Sequence, residues 1–432
     1  MKIVIVGGGA GGLELATYLG KKLGRKGLAD IVLIDQNQTH LWKPLLHEVA
    51  AGSLDAEVDA LSYRAHATAH DFVFKLGYFS SVDRASRCIE LAPVFDDDGF
   101  EVLPQRRETY DQLVIAIGSG CNDFGTPGVA EYAQFLEGPK QAERFHKQLI
   151  NHFIQLNRKL IDEPTRTLNI AIVGGGATGV ELSAELFNAQ QLFSLYGLKR
   201  VTNAHLRVTL LEAGPRLVPA LAENVSEAVR SELVKLGADI RLNTHVARAE
   251  KNAFITADGD TVPADMMLWA AGVKVPDFIA DIEGLETNRI NQILVKPTLQ
   301  TTSDDRIYAI GDCAGYNLGD GRWVPPRAQS AHQMASLAGK NIVRGLKGKP
   351  LKDFKYRDHG SLVSLSRYTA VGVLMGNLGK GQSLNVRGWL ARMVYISLYR
   401  MHQVALHGWF RASLLVVADK LNHIVKPRLK LH

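Results

Sequence analysis

Gly7, Gly9 and Gly12 stand in the spacing Gly-x-Gly-x-x-Gly, and Gly174, Gly176 and Gly179 repeat it. Three glycines so placed, after a strand and before a helix, have separate jobs. The first makes a tight turn, the second lets backbone approach a pyrophosphate, and the third lets helix and strand pack closely, with the helix N-terminus facing the phosphate charge. A dinucleotide site also needs an acid for the ribose hydroxyls. Asp35 ends IVLID, 23 residues after Gly12, and Glu212 ends VTLLE, 33 residues after Gly179. The longer second spacing implies an enlarged helix and loop. A carboxylate at Glu212 accepts from a free 2′-hydroxyl and repels a 2′-phosphate, which favours NADH over NADPH, although Arg216 lies nearby in sequence. No Gly-x-Ser-x-Gly, no His-Glu-x-x-His and no nucleophile–base pair is evident. Hydride passing between two bound dinucleotides needs none of these, because the cofactor does that chemistry.

The elements that must position these residues recur with them. KIVIVGGGAGGLE (2–14) and NIAIVGGGATGVE (169–181) are an internal duplication, each a short β-branched run, a glycine motif and a helix start. Further strands are read at YDQLVIAIGS, ending in Gly118, at MMLWAAG, ending in Gly272, and at RIYAIGDCAG, which places Asp312 just past its end. A helical pattern covers Pro326–Arg344, and Gly348–Pro350 marks a boundary. The composition, 46% hydrophobic and 22% charged over 432 residues, excludes a disordered or collagen-like chain. Cys88, Cys121 and Cys313 lie far apart without Cys-x-x-Cys or zinc spacing, which points to a reducing compartment and away from a metal site. Met1 leads directly into a strand, so no signal peptide is read.

Charge is uneven. Net charge is +6, but the last 53 residues carry +8, leaving the first 379 at −2. In this tail the longest stretch free of Lys, Arg, Asp and Glu is ten residues, Met401–Phe410, short of the roughly 20 that span a bilayer. Residues 387–405 and 406–426 both read as helices. In the second, Leu406, Phe410, Leu414, Val417 and Leu421 recur at spacings of three and four, with Arg411, Asp419, Lys420, His423 and Lys426 opposite, and Pro427 ends it. The first carries Trp389, Tyr395 and Tyr399 beside Arg387, Arg392 and Arg400. Basic residues with aromatics and no spanning run describe helices lying in a membrane interface. The alternative is a face covering a subunit interface or the core.

Taken in order, the two glycine motifs, the strand ending Ile117–Gly118, Trp269–Gly272 and Ile310–Asp312 resemble the two-dinucleotide-binding flavoproteins of glutathione-reductase type. Within them, HLWKPLLHEVA (40–50), AQSAHQ (328–333) and the basic aromatic tail resemble the type II, alternative, non-proton-pumping NADH:quinone oxidoreductases, the respiratory NADH dehydrogenases of proteobacteria, over essentially the whole chain. The resemblance implies an α/β fold of two Rossmann-like domains plus a C-terminal amphipathic helical anchor. A discontinuous FAD-binding domain is expected at 1–120 and 290–348, an NADH-binding domain at 121–289, and a C-terminal domain at 349–432 with membrane-surface helices at about 387–426.

It further implies non-covalent FAD held by Gly7, Gly9, Gly12, Asp35, Lys43, Gly118 and Asp312, and NADH as substrate held by Gly174, Gly176, Gly179, Glu212 and Gly272. Electrons would pass from NADH through FAD to a membrane quinone, ubiquinone being expected. Gln329 and Gln333 share a helical face and line the quinone pocket in this reading; otherwise they are solvated or capping glutamines. Glu181 is expected near the nicotinamide–flavin contact and the quinone as a proton relay; otherwise it is a carboxylate favoured by the helix dipole. Lys43, after Trp42, would stabilise a reduced flavin or be a surface lysine. Cys121 and Cys313 hint at sulfide:quinone chemistry, which needs paired cysteines, and Cys313 reads as a small packing residue. The expected partners are the quinone and an anionic lipid surface at the cytoplasmic face of a bacterial inner membrane, with a homodimer left open and nucleic acid not expected. The rival readings are a sulfide:quinone-type enzyme and a redox-responsive flavoprotein whose basic tail binds nucleic acid.

Overall fold

The computed structural model describes residues 1–195, 197–319, 321–365, 370–375 and 383–425. Lys426 and Pro427, where the sequence ends the second amphipathic stretch, lie outside them. So do the side chains of Arg387, Trp389, Arg392, Tyr395, Asp419, Lys420 and His423. The helices that position chemistry are α1 (Ala10–Lys22), α2 (Leu46–Ala51), α3 (Pro139–Lys159), α4 (Ala177–Leu195), α5 (Ala328–Leu346) and α6 (Trp389–Val425).

The chain forms two compact units. The first comprises Met1–Trp42, Ala60–Gly120 and Val273–Arg357, and the second Lys43–Asp59, Cys121–Gly272 and the chain from Asp358 on. Each is built on the same plan. In the first, five parallel strands run in the order Ile307–Ala309, Gln112–Ile115, Lys2–Val6, Asp30–Asp35, Val73–Leu76. In the second the order is Gln134–Phe135, Met266–Trp269, Leu168–Val173, Leu206–Leu211, Asp239–Arg241. The strand entering each glycine motif is the central one of five. Its residues are apolar without alternation because helices cover both faces of a parallel sheet; Ile3, Val4 and Ile5 are fully buried, as are Ala171 and Ile172. Each unit adds a three-stranded antiparallel sheet, Tyr78–Asp83 with Cys88–Ala92 and Arg106–Thr109, or Val246–Glu250 with Ala253–Thr256 and Thr261–Pro263.

The C-terminal region departs from the helical reading of 387–405. Ser383–Gly388 is a strand paired antiparallel with Ala370–Met375, which pairs in turn with Gly360–Ser364, so Arg387 and Gly388 belong to a sheet. The helix α6 begins only at Trp389, and Gly408 interrupts it with φ 78° and ψ 166°. Leu406, read as part of the lipid-facing stripe, lies before this break and is buried at 2% exposure, whereas Phe410, Leu414, Val417 and Leu421 beyond it are exposed. Among the described residues no helix is long and apolar enough to cross a membrane.

Candidate functional site

The first unit collects its predicted residues at the C-terminal ends of its parallel strands. Gly7 has φ +100°, and a Cβ on Gly12 would fall on the Gly7 carbonyl oxygen, so α1 packs against the turn only because both are glycine. A Cβ on Gly9 would meet nothing within 4 Å, so the middle glycine faces open space, the room a pyrophosphate needs. His40 Nδ1 (2.9 Å) and the Tyr63 hydroxyl (2.6 Å) both bond the Gly8 carbonyl and fix its peptide. On the other side the Gly8 N–H donates to Asp35 Oδ2 at 2.6 Å. Asn37 holds Oδ1 through its N–H (2.7 Å) and amide (3.1 Å). Burial raises the Asp35 pKa, and these donors pull it down.

Asp312 lies just past the edge strand, and its Oδ2 accepts from the Ser119 hydroxyl at 2.8 Å, one residue beyond Gly118. Gln292 Nε2 donates to the Asp312 carbonyl at 2.9 Å. The sequence alone gives Ser119, His40 and Gln292 no role, although Ser119 follows Gly118 and His40 opens HLWKPLLHEVA. The start of α5 reaches the same end of the sheet, since Ala331 packs on Gly11 and Gly311. On α5, Gln329 Nε2 donates to the Tyr356 hydroxyl at 3.3 Å. Gln333 is tied at both ends to one peptide: its Nε2 donates to the Arg357 carbonyl (2.8 Å) and its Oε1 accepts from the Arg357 N–H (3.0 Å). Between them His332 Nδ1 meets Glu14 Oε2 of α1 at 2.5 Å.

The second unit repeats the dinucleotide geometry. Gly174 has φ +112° and abuts the Ala270 peptide, a Cβ on Gly179 would fall on the Gly174 oxygen, and Gly176 faces open space. Glu212 Oε2 accepts from the Gly175 N–H at 2.6 Å, as Asp35 does from Gly8, and Oε1 accepts from the Gly214 N–H at 2.7 Å. The longer spacing to Glu212 is taken up by the 19 residues of α4 and the turn at Asn203–His205, so the carboxylate still ends at its glycine loop. Beside it a cleft of about 640 Å³ is lined by Pro215, Arg216, Leu217, Glu223 and Arg230. Gly272 (φ +72°) packs on Asn122, whose carbonyl accepts the Trp269 indole N–H at 2.8 Å.

Glu181, the fifth residue of α4, is buried at 6% exposure. Its Oε1 accepts from the Ser364 N–H at 3.0 Å and its Oε2 lies 3.4 Å from Nδ1 of His47 on α2. Burial pushes the carboxyl up to about 8, with Glu48 and Glu185 adding to the shift and Ser364 opposing it. Burial also pulls His47 down to about 4 against the pull of Glu185 and the Pro44 carbonyl. At neutral pH the pair therefore holds a proton and no net charge, not the carboxylate expected from a helix dipole. In the sequence His47 stands within HLWKPLLHEVA (40–50) but carries no role of its own.

Lys43 opens a short 3₁₀ turn before α2 and pulls down the Cys121 thiol, which burial and Glu137 nonetheless push up to about 11. Cys313 is fully buried, bonds the Ile115 and Ile310 carbonyls, and is pushed up to about 12 by burial. Both are thiols at neutral pH, whereas sulfur redox chemistry runs through thiolates.

Residues 1–335 match the family model described as pyridine nucleotide-disulphide oxidoreductase. The whole chain is 52% identical to a type II NADH:quinone oxidoreductase of Haemophilus influenzae, covering 100% of this chain and 99% of that protein. Among solved structures, the fold matches NDH2 of Plasmodium falciparum in complex with NADH with a TM-score of 0.81 at 19% identity, over 100% and 99% of the two chains. It also matches the sulfide:quinone oxidoreductase of Aquifex aeolicus with a TM-score of 0.69 at 18% identity, over 98% and 95%. The chain thus belongs to the pyridine nucleotide-disulphide oxidoreductase family and, within it, to the type II NADH:quinone oxidoreductases.

Proposed function

We propose that this protein is a peripheral membrane flavoenzyme that takes electrons from NADH, passes them through FAD and gives them to a membrane quinone, ubiquinone being the expected one, without pumping protons. The observation that carries the reading is the repeated loop in which a glycine N–H anchors the acid that ends the next strand, Gly8 to Asp35 and Gly175 to Glu212. Two such loops suit two dinucleotides.

In the first unit Gly7, Gly9, Gly12 and Asp35 would hold the adenine-side ribose and pyrophosphate of FAD, with Gly118 and the Ser119–Asp312 pair beside them. In the second, Gly174, Gly176, Gly179, Glu212 and Gly272 would hold NADH, with Glu212 meeting the ribose hydroxyls. When bound, the flavin supplies the means to accept a hydride and give up electrons. Gln329 has an amide suited to a quinone carbonyl, and Gln333 would act by fixing the Arg357 backbone. Glu181, neutral and buried, can give a proton. Lys43 would add positive charge on the flavin side.

The tail supports a membrane surface as partner. Trp409 and Phe410 are 79% and 78% exposed, Leu414, Val417 and Leu421 are exposed with them, and Arg411 stands among them. Aromatic and apolar residues on a basic helix suit anionic lipid at the cytoplasmic face of a bacterial inner membrane. The high thiol pKa values of Cys121 and Cys313 favour this reading over a sulfide:quinone enzyme.

Purified protein tests the reading. Flavin released by heat should chromatograph as FAD, and NADH should be oxidised only when a quinone is added. A protein without flavin, or one that reduces quinone with NADPH as readily as with NADH, would sink it.

A further inference from the structure

The turn of α5 that carries Gln329 and Gln333 is held from two sides, both within the first unit. On one side lies the segment Tyr356–Arg357. Gln329 Nε2 donates to the Tyr356 hydroxyl, and Gln333 bonds both the N–H and the carbonyl of Arg357. On the other side lies α1, the helix that leaves the first glycine motif. His332 stands between the two glutamines in the chain, and its Nδ1 meets Glu14 Oε2 at 2.5 Å. Glu14 is two residues past Gly12. The pair therefore joins the glutamine turn to the helix whose start faces the proposed pyrophosphate site.

Beside this pair the two helices meet in close van der Waals contact. Gly11 lies against Ala331, and further along both helices Gly339 lies against the Tyr18 ring and Leu15, so α1 and α5 run side by side in the same direction. Apolar contact of this kind resists separation but is non-directional. A hydrogen bond weakens steeply off line, and one between charged partners is about twice as strong as a neutral one. Glu14 is 8% exposed and His332 41%. The bond to Glu14 raises the histidine pKa, against burial and Lys340, which favours the charged form of the contact.

We infer that Glu14 and His332 are positioning residues for quinone reduction: the pair fixes the glutamine turn of α5 in the frame of the flavin-binding helix, so that Gln329 meets the quinone at a set place relative to the flavin. This rests on the quinone-reducing reading above. Neither side chain touches the quinone or gives up a proton in this role. A reacting group must be held to within about 0.5 Å by partners that are themselves fixed, and a directional bond to α1 does this where sliding apolar contacts do not. The two glutamine ties to Tyr356 and Arg357 hold the turn to its neighbouring segment; the Glu14 bond adds the link to the cofactor's own helix.

The test uses the full-length enzyme with bound flavin, a short-chain quinone and three variants. His332→Ala removes the donor. Glu14→Met removes the acceptor with little change of volume and leaves no charge buried, so it remains informative if the first fails to fold. Glu14→Gln keeps an acceptor oxygen in place. Stopped-flow measurement separates flavin reduction by NADH from reoxidation by quinone, and flavin content is read from the absorbance spectrum. His332→Ala and Glu14→Met should slow reoxidation roughly tenfold, on the scale where a displacement of about 1 Å costs about a hundredfold. Both should leave the NADH half-reaction and the flavin content unchanged. Glu14→Gln should recover most of the lost rate. Reoxidation at the wild-type rate in Glu14→Met, equal slowing of both half-reactions, or a Glu14→Gln enzyme as slow as Glu14→Met overturns the positioning role alone. A wild-type enzyme that reduces no quinone overturns the functional reading and the positioning role with it.

Discussion

Glu14 and Glu181 stand at the same place in the two repeats, each two residues past the last glycine of its motif, yet they are held in different electrostatic states. In both the carboxyl Oε2 meets a histidine Nδ1. Glu14 meets His332, whose ring is 41% exposed and whose pKa the contact raises, so that pair is built to carry charge. Glu181 meets His47, 4% exposed, and burial drives both members toward neutrality. The helix-start position is shared, so solvent access and neighbouring carboxylates separate the two.

The Glu181–His47 pair makes a pH-dependent contribution to stability whose sign follows from the two shifts. Glu181 is raised from 4.5 to about 8, so its contribution is full below 4.5 and is lost as pH rises toward 8. His47 is lowered from 6.5 to about 4, so its contribution is full above 6.5 and is lost as pH falls toward 4. Between about 4.5 and 6.5 the two slopes oppose each other, and from 6.5 to 8 only the Glu181 loss remains. Glu181→Gln should remove that alkaline decline, a difference on the order of a few kcal/mol by pH 8. Thermal melts of both proteins from pH 5 to 9 check this; parallel curves would count against a neutral buried Glu181.

Glu212→Ala should weaken NADH binding while flavin stays bound. It removes the proposed ribose acceptor and leaves the Gly175 and Gly214 N–H groups without theirs, a loss of roughly 1.5–3 kcal/mol for bonds to a charged group. Titration of flavin-loaded protein with NADH measures it. Loss of flavin with unchanged NADH affinity would mean that the two nucleotide sites are assigned the wrong way round.

Gln329→Ala and Gln333→Ala should both slow reoxidation of the flavin by quinone more than its reduction by NADH, but for different reasons. Gln333 makes two bonds to the Arg357 peptide, so its loss should also cost about 1–2 kcal/mol of stability. Gln329 donates to the Tyr356 hydroxyl at 3.3 Å, longer than either Gln333 bond, and its variant should melt closer to wild type than the Gln333 variant. Half-reaction kinetics beside melting curves separate the two; equal slowing of both half-reactions would remove the quinone role.

Truncation should begin at Trp409. A cut at Arg387 would remove the last two residues of a paired strand and the buried Leu406 and His402, and so damage the second unit. A cut after Gly408 removes Trp409, Phe410, Leu414, Val417 and Leu421 and should release the protein from membranes with both nucleotide sites intact. Salt should weaken attachment of the full chain without abolishing it, because screening reaches the charges and not the apolar area. Retention of the truncated form in the membrane fraction would place the anchor elsewhere.

The repeated glycine spacing made the fold legible, because a strand, a tight turn and a helix packed at contact distance leave no choice of residue at Gly12 or Gly179. Asp35 and Glu212 were legible for the same local reason. His47 was not: it looks like any histidine in a short apolar helix, and its partner lies 134 residues away in the chain. Ser364, 183 residues from Glu181, was equally hidden. Arg387 was misread because basic and aromatic residues suggested a helix, whereas its conformation is decided by pairing with Val371. Contacts between distant segments leave no period in the sequence to find.

Gly408 sets how far the tail can reach. An unbroken helix of the 37 residues from Trp389 to Val425 would be a rod about 55 Å long, at about 1.5 Å per residue. With a hinge at Gly408 it is instead two arms of about 28 and 25 Å. The bearing of the outer arm, and with it the direction in which Trp409 and Phe410 are presented, depends on one backbone conformation that only glycine adopts readily. Lengthening the outer arm would change how much of it touches a surface, whereas replacing Gly408 would change where it points.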